Sequence, residues 1–299
     1  MLNIHSIKKL WKNLEKKSPA PKHVSKINII DFKNFKKAID IKNELYVKNI
    51  IKKMYNGEAF ILRNAAKKNL KSVVIKLAKF YDNKQKPSFH KMLDGTPNFH
   101  RIIDHKVTKK YSLYAIKHSY FFYNWNIKTK LEKEFKDGVY RHWRYIKFLS
   151  GNSKYKYEKN IPSQNQVDRL QIVNYPRGGG ELRDHVDPKK NQRVVSGLIM
   201  SKVKEDFNKG GFFFRDKNNN KLNIENMLEI GDSVAFYGSI THGVEVVDKE
   251  KKIDWKSYNC RWFVGMFVND SNHVKNRITA SDLTGSIKSN KSNVRKKNR

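Results

Sequence analysis

The chain has 299 residues, 38% of them hydrophobic and 12% aromatic, which is enough to bury a sizeable core. It carries 63 Lys and Arg against 28 Asp and Glu, a formal net charge of +35 at pH 7. A single cysteine, Cys260, excludes an internal disulfide framework and fits a reducing compartment, and no uncharged apolar run reaches the length of a membrane span.

So large a positive charge invites a nucleic-acid reading, but its make-up argues against taking it at face value. Only 13 of the 63 basic residues are Arg, while Lys, Asn and Ile are plentiful. An A/T-rich genome produces that skew without selection for a partner. A dedicated reader of phosphate or bases is expected to enrich Arg, whose fork makes paired contacts. The field still attracts anions at low salt, so nucleic acid is expected only as a nonspecific contact.

In chain order, residues 1–27 hold seven Lys and one Glu, with Ile4, Ile7, Leu10, Trp11 and Leu14 at helical spacing before the break at 18–21. This predicts a short amphipathic helix that docks on the body of the protein, with an anionic membrane surface or partner as the alternative. Lys8, Lys9 and Lys12 interrupt any signal-peptide core, so a cytoplasmic location is expected. Residues 28–166 read as a support region. It contains a helix over 41–54, a strand Glu58–Arg63, a helix burying Leu70, Val73, Val74, Leu77, Phe80 and Tyr81, and a helix over 129–150. Within it, 87–126 mixes His90, His100, Arg101, Asp104, His105, His118, Tyr120, Tyr123 and Trp125, with a strand expected over 111–123. Polar groups interleaved with aromatics suit a substrate-facing wall, although ordinary packing explains any one of them. A second metal site there finds no support in spacing, because His100 and Asp104 lack a convincing partner. Residues 151–166 read as a linker or lid, 167–270 as the core, and 271–299, thin in apolar residues, as a disordered basic tail.

The core opens with an apolar run ending at Tyr175, followed by Pro176 and the Gly178–180 turn, and then His185-Val186-Asp187. In an extended segment residues two apart share a face, so His185 and Asp187 can grip one ion together. His242, opening an apolar run after the strand expected over 233–238, is the candidate third ligand. Two imidazoles and one carboxylate leave coordination positions open and suit Fe(II) better than structural zinc. Arg261 lies in an apolar strand, where a lone cation is costly to bury without an anion. Further strands are expected over 193–203 and 210–214. Singly, each residue has a plain reading as loop cap, turn histidine, edge cation or core tyrosine; their order and strand context give the set its force.

That order, His185, Asp187, His242 and Arg261, resembles the Fe(II)/2-oxoglutarate-dependent oxygenase superfamily. The stretch 175–187 followed by Arg193 is most similar to its prolyl-hydroxylase branch. The resemblance covers about the last third of the chain. It implies a mostly β fold with flanking helices (α+β), in which a double-stranded β-helix of jelly-roll or cupin type is buttressed by N-terminal helices. It also implies iron held by His185, Asp187 and His242, 2-oxoglutarate clamped by Arg261 with help from Tyr175, and dioxygen as oxidant, with ascorbate as an optional reductant. With Asp187 present, hydroxylation is expected over halogenation.

The expected substrate is a small anionic metabolite of sugar, nucleotide-linked or amino-acid type, hydroxylated with release of succinate and carbon dioxide. Arg101, His118, Tyr120 and Arg193 are the expected substrate contacts. Protein prolyl hydroxylation is the nearest rival. A non-catalytic basic RNA-binding or scaffold protein on a barrel is the alternative outside enzymes. Demethylation of nucleic acid is disfavoured because Phe267 stands where such enzymes usually carry a second arginine.

Overall fold

Alternating and continuous apolar runs pair into two sheets that share one strand. The computed structural model describes residues 2–278 and 280–283. The first half runs α1 (Ile4–Lys17), β1 (Lys26–Asp31), α2 (Phe32–Asp40), α3 (Glu44–Tyr55), β2 (Glu58–Arg63), α4 (Leu70–Lys84), β3 (Phe99–Ile103), β4 (Ala115–Tyr123) and α5 (Lys130–Leu149). The second half is almost entirely strand: β5 (Gln166–Tyr175), β6 (Glu181–Val186), β7 (Val194–Ile199), β8 (Gly211–Arg215), β9 (Lys221–Asn223), β10 (Ser233–Tyr237), β11 (His242–Glu245), β12 (Arg261–Asp270) and β13 (Ser281–Asp282).

The larger sheet has the order β1-β2-β10-β7-β12-β5-β4-β3 and the smaller one β4-β6-β11-β8-β9, with β13 also paired to β6. All pairings are antiparallel except β1 with β2. Residues His118 to Tyr123 of β4 pair with β5, while Ala115 and Ile116 pair with β6, so this one strand belongs to both sheets. The architecture is a double-stranded β-helix flanked by helices, as expected.

The helices cover the outer face of the larger sheet. Asn3 caps α1 by accepting from the Ser6 backbone N–H, and Thr129 with Glu132 forms a capping box on α5. In α1, Ile7 and Trp11 are buried, the Trp11 indole N–H donates to the Leu149 carbonyl at 2.8 Å, and its ring stacks on Tyr237 at 5.4 Å. The amphipathic segment is therefore docked on the body of the protein, as the first of its two readings had it. Among the described residues no helix is long and apolar enough to cross a membrane.

His142 of α5 is fully buried, with its ring 5.5 Å from that of Phe32 and no partner for Nδ1. Burial pushes it down to about 3. The unfolded chain protonates this imidazole below about pH 6.5 and the native chain does not, so stability is full above that pH and falls by up to about 1.4 kcal/mol per unit toward pH 3. Urea unfolding at several pH values is expected to show a shallower acid slope for His142→Leu than for the wild type. An unchanged slope would place the proton uptake elsewhere.

Several elements depart from the sequence expectation. The strand expected over 111–123 starts at Ala115, because Asp104 accepts from the Lys106 and Val107 N–H groups, a 3-10 turn follows at Thr108–Lys110, and Thr108 Oγ1 takes the Ala115 N–H. The strand expected over 193–203 ends at Ile199, since the chain turns at Lys202, whose N–H is held by Asp206. The pair β1 and α2 was not anticipated. In the expected disordered tail, Asn272 Oδ1 accepts the Met92 N–H at 2.7 Å and β13 pairs with β6; residues 284–299 lie outside the described residues.

Candidate active site

The smaller sheet places His242, the first residue of β11, directly opposite His185 of β6, with ring centroids 4.1 Å apart. Asp187 follows one residue beyond β6, where its backbone N–H donates to Gly238 O at 2.9 Å. One donor atom from each residue lies within 4.8 Å of the others, and His242 Nε2 is 3.4 Å from Asp187 Oδ2. His185 Nδ1 meets Arg183 O and His242 Nδ1 meets Ile240 O, both at 2.9 Å. A carbonyl only accepts, so each Nδ1 carries the proton and each Nε2 presents its lone pair to the shared centre, as metal-binding imidazoles do. Burial pushes His185 down to about 3, aided by the neighbouring His242, and keeps it neutral. Burial also opposes charge on Asp187, but the attraction of His242, His185 and Lys117 together outweighs it and holds the carboxyl below its ordinary range. Two imidazoles whose Nδ1 atoms face backbone carbonyls, with a carboxylate beside them, fit Fe(II).

Arg261 and Tyr175 sit directly opposite one another on β12 and β5, the guanidinium 5.5 Å from the phenol ring. Arg261 is 1% exposed. Its Nε donates to Glu225 Oε2 at 3.0 Å, while Nη2 is buried without a partner. A protein carboxylate therefore already accompanies this cation, so the plain reading of a salt-bridged strand residue holds in part, beside the ligand that the resemblance implies. Glu225 Oε2 also takes the Phe212 N–H at 2.6 Å, and Gly211, at φ +108°, leaves room for it, since a Cβ there would lie 2.5 Å from the carboxylate. Glu225 escaped the sequence reading because it follows a run of Lys and Asn in a turn, where no periodicity marks it. The charges of Arg261, Asp187 and Glu225 all act on the Tyr175 hydroxyl, which burial pushes well above its ordinary value.

On the same inner face a cavity of about 260 Å³ lies against β3, β4 and β5. Arg101, Lys117 and Arg169 enter it among Phe89, Phe99 and Phe121, and among the described residues no carboxylate lines it. The Arg101 guanidinium lies 4.3 Å from the Phe89 ring centroid and donates to the Tyr111 hydroxyl at 2.5 Å. Arg169 lies between Phe121 and Phe267, 5.4 Å from each. Nε of both arginines is buried and unpartnered. Burial, with Arg169 nearby, pushes Lys117 down to about 8 against the opposing pull of Asp187, whose charge also reaches Arg169. The cavity and the His185–Asp187–His242 centre thus share one electrostatic environment.

Of the four residues read as substrate contacts, only Arg101 reaches this cavity. His118 and Tyr120 alternate with Lys117 and Ser119 along β4 and so face the opposite side, where they hydrogen-bond to each other at 3.1 Å. Arg193 turns outward to Glu15 of α1, with Nε to Oε1 at 2.6 Å. Lys117 and Arg169 were not singled out from the sequence. Arg169 stands six residues before Tyr175 on one strand, an even spacing that puts both on one face.

No family model matches the sequence, and no curated protein matches it. Solved structures do resemble it in fold. The full-length Neurospora crassa protein in complex with alpha-KG and thymine is 13% identical, over 83% of this chain and 86% of that one, with a TM-score of 0.50. A Pseudomonas putida prolyl-4-hydroxylase is 10% identical over 74% of this chain and 97% of its own, with a TM-score of 0.45. The fold is that of the Fe(II)/2-oxoglutarate oxygenases. On this fold His185, Asp187 and His242 converge on the smaller sheet, Arg261 faces Tyr175 on the larger one, and the charge of Asp187 reaches both Tyr175 and the cavity's Lys117.

Proposed function

We propose that the chain is an Fe(II)- and 2-oxoglutarate-dependent dioxygenase that hydroxylates a small anionic metabolite. The observation that carries the proposal is the convergence of His185 Nε2, His242 Nε2 and the Asp187 carboxylate on one point, each imidazole oriented by a backbone carbonyl. His185, Asp187 and His242 would hold the iron. With 2-oxoglutarate and dioxygen, that iron would supply the oxidising chemistry that yields succinate, carbon dioxide and a hydroxylated product. Arg261 Nη2 is free to donate to the distal carboxylate of 2-oxoglutarate while Glu225 fixes the guanidinium plane. The Neurospora crassa protein of this fold was itself solved with alpha-KG. The cavity supports the anionic substrate class: Arg101, Lys117 and Arg169 offer donors without an opposing carboxylate, and the aromatic walls exclude water from the bound group. A cytoplasmic location fits a lone, buried Cys260.

Anaerobic protein given Fe(II) and 2-oxoglutarate is expected to show the weak visible charge-transfer band of a chelated keto acid, and Asp187→Ala to lose it. No band in the wild type at saturating concentrations would sink the reading. With air admitted, mass spectrometry over anionic metabolites is expected to find a product heavier by one oxygen atom; a gain on proline-containing peptides instead would move the substrate class. For the substrate so found, Arg169→Ala and Arg101→Ala are each expected to raise KM about 10- to 100-fold, the loss of a hydrogen bond to a charged group. The 2-oxoglutarate band should persist in both variants, and its loss would place these arginines at the co-substrate instead.

A further inference from the structure

The face of β4 turned away from the cavity carries a second convergence of donors. Asp82 comes from α4, His100 from β3 and His118 from β4. The two histidines are 2% and 4% exposed, and the Asp82 side chain is 25% exposed, which leaves it reachable from solvent. His100 Nδ1 lies 2.8 Å from His118 Nε2 and 3.3 Å from Asp82 Oδ1, and His118 Nε2 lies 3.7 Å from the same oxygen. Ligands about 2.0–2.1 Å from a tetrahedral zinc ion stand about 3.3 Å apart, which these three edges bracket.

The hydrogen bonds around the cluster are those that an ion at its centre would leave in place. His100 Nε2 meets the Gln85 carbonyl at 2.7 Å, which accepts, while its Nδ1 faces His118 Nε2. On the far side of the second ring, His118 Nδ1 lies 3.1 Å from the Tyr120 hydroxyl, which in turn lies 3.0 Å from Asp82. With a cation at the centre of the triangle, both facing nitrogens become ligands, His118 Nδ1–H donates to Tyr120, and the Tyr120 hydroxyl donates to Asp82.

We propose that Asp82, His100 and His118 bind a divalent ion of the zinc type, leaving its fourth position to water, and that this ion pins the β3–β4 hairpin to α4. The outer contacts have the form that orients metal ligands. One imidazole is anchored on a backbone carbonyl, and the carboxylate receives the Tyr258 hydroxyl at 2.7 Å from the loop before β12. The ion serves a structural role behind the cavity. Arg101, next to His100 on β3, points through the hairpin to the other face, so fixing His100 fixes the cavity's outer cation. This assignment rests on its own residues and stands apart from the oxygenase reading.

The test uses the full chain stripped with a chelator and titrated with Zn(II), then with Co(II) as a spectroscopic substitute. A variant lacking Asp187 and His242 (both to Ala) is expected to retain one equivalent of zinc and to show the intense visible bands of tetrahedral Co(II). Adding His100→Gln, which keeps hydrogen-bonding capacity, should weaken zinc by more than about 100-fold, beyond what even a second-shell change costs. If that background does not fold, His118→Gln in the otherwise intact chain should lower the zinc stoichiometry by one and leave the Fe(II)–2-oxoglutarate band in place. Failure of the triad-less chain to hold zinc, or zinc that survives both His100→Gln and His118→Gln, overturns the proposal. Loss of the band alone, with this zinc retained, counts against the oxygenase reading and not against this one.

Discussion

Arg261→Ala is expected to raise the 2-oxoglutarate concentration for half-saturation of the charge-transfer band by at least about 30-fold, since truncating one partner of a buried charge pair costs about 2–5 kcal/mol. Two effects add. The co-substrate loses the donor at Nη2, and Glu225 is left buried with the Phe212 N–H as its remaining partner. Arg261→Lys keeps the charge but loses the fork, so it should recover only part of the affinity. Glu225→Gln separates the two effects: it keeps an acceptor for Nε and removes the carboxylate, and is expected to disturb 2-oxoglutarate binding less than Arg261→Ala does. Half-saturation unchanged in Arg261→Ala would remove this residue from the co-substrate site.

Lys147→Met should cost about 3–5 kcal/mol of folding stability near pH 8, the range for leaving a buried charge without its partner. Lys147 of α5 and Asp168 of β5 both have fully buried side chains, 2.7 Å apart, and Lys147 Nζ also donates to the Lys156 carbonyl at 2.8 Å. Burial raises Asp168 to about 6, although Lys147 and the Tyr140 hydroxyl hold it down. The sign follows from that upward shift. Between the unfolded value of about 3.9 and the folded one, the native carboxyl holds a proton that the unfolded chain has lost, so its contribution is full at low pH and is lost as pH rises through about 6. Without Lys147 the carboxyl stays protonated to higher pH still. The variant's deficit in urea unfolding is therefore expected to be smaller near pH 5 than near pH 8, and Lys147→Met with Asp168→Leu to recover most of it. Equal losses at both pH values would assign the cost to packing.

The residues legible in the sequence are those whose neighbours fix their direction. His185 and Asp187 share a face by strand alternation, and Tyr175 and Arg261 end and begin the strands β5 and β12, whose pairing puts them opposite each other. Glu225, Lys117 and Arg169 depend on which strands pair and which face turns inward, and periodicity along one segment carries neither fact. The sequence reading of 87–126 grouped Arg101 with His118 and Tyr120 as one wall. The hairpin splits them, because odd-numbered residues of β3 and β4 face the cavity and even-numbered ones face α4. Asp82 joins His100 and His118 only through the docking of a helix, which explains why spacing along the chain offered His100 no convincing partner.

The strand common to both sheets also dictates an order of events as the chain is made. β4 leaves the ribosome before any strand of the C-terminal half, yet its partners β5 and β6 emerge only after the whole of α5, and β2 waits longer still for β10. Such distant pairings fold slowly and leave open strand edges while they wait. A fragment restricted to residues 167–270 would contain every proposed iron ligand and still lack the strand that joins its two sheets. Nascent chains stalled short of β12 would in turn carry β5 with one side unpaired, so protection of the newborn protein falls to the helices α1 to α5, which are complete by then.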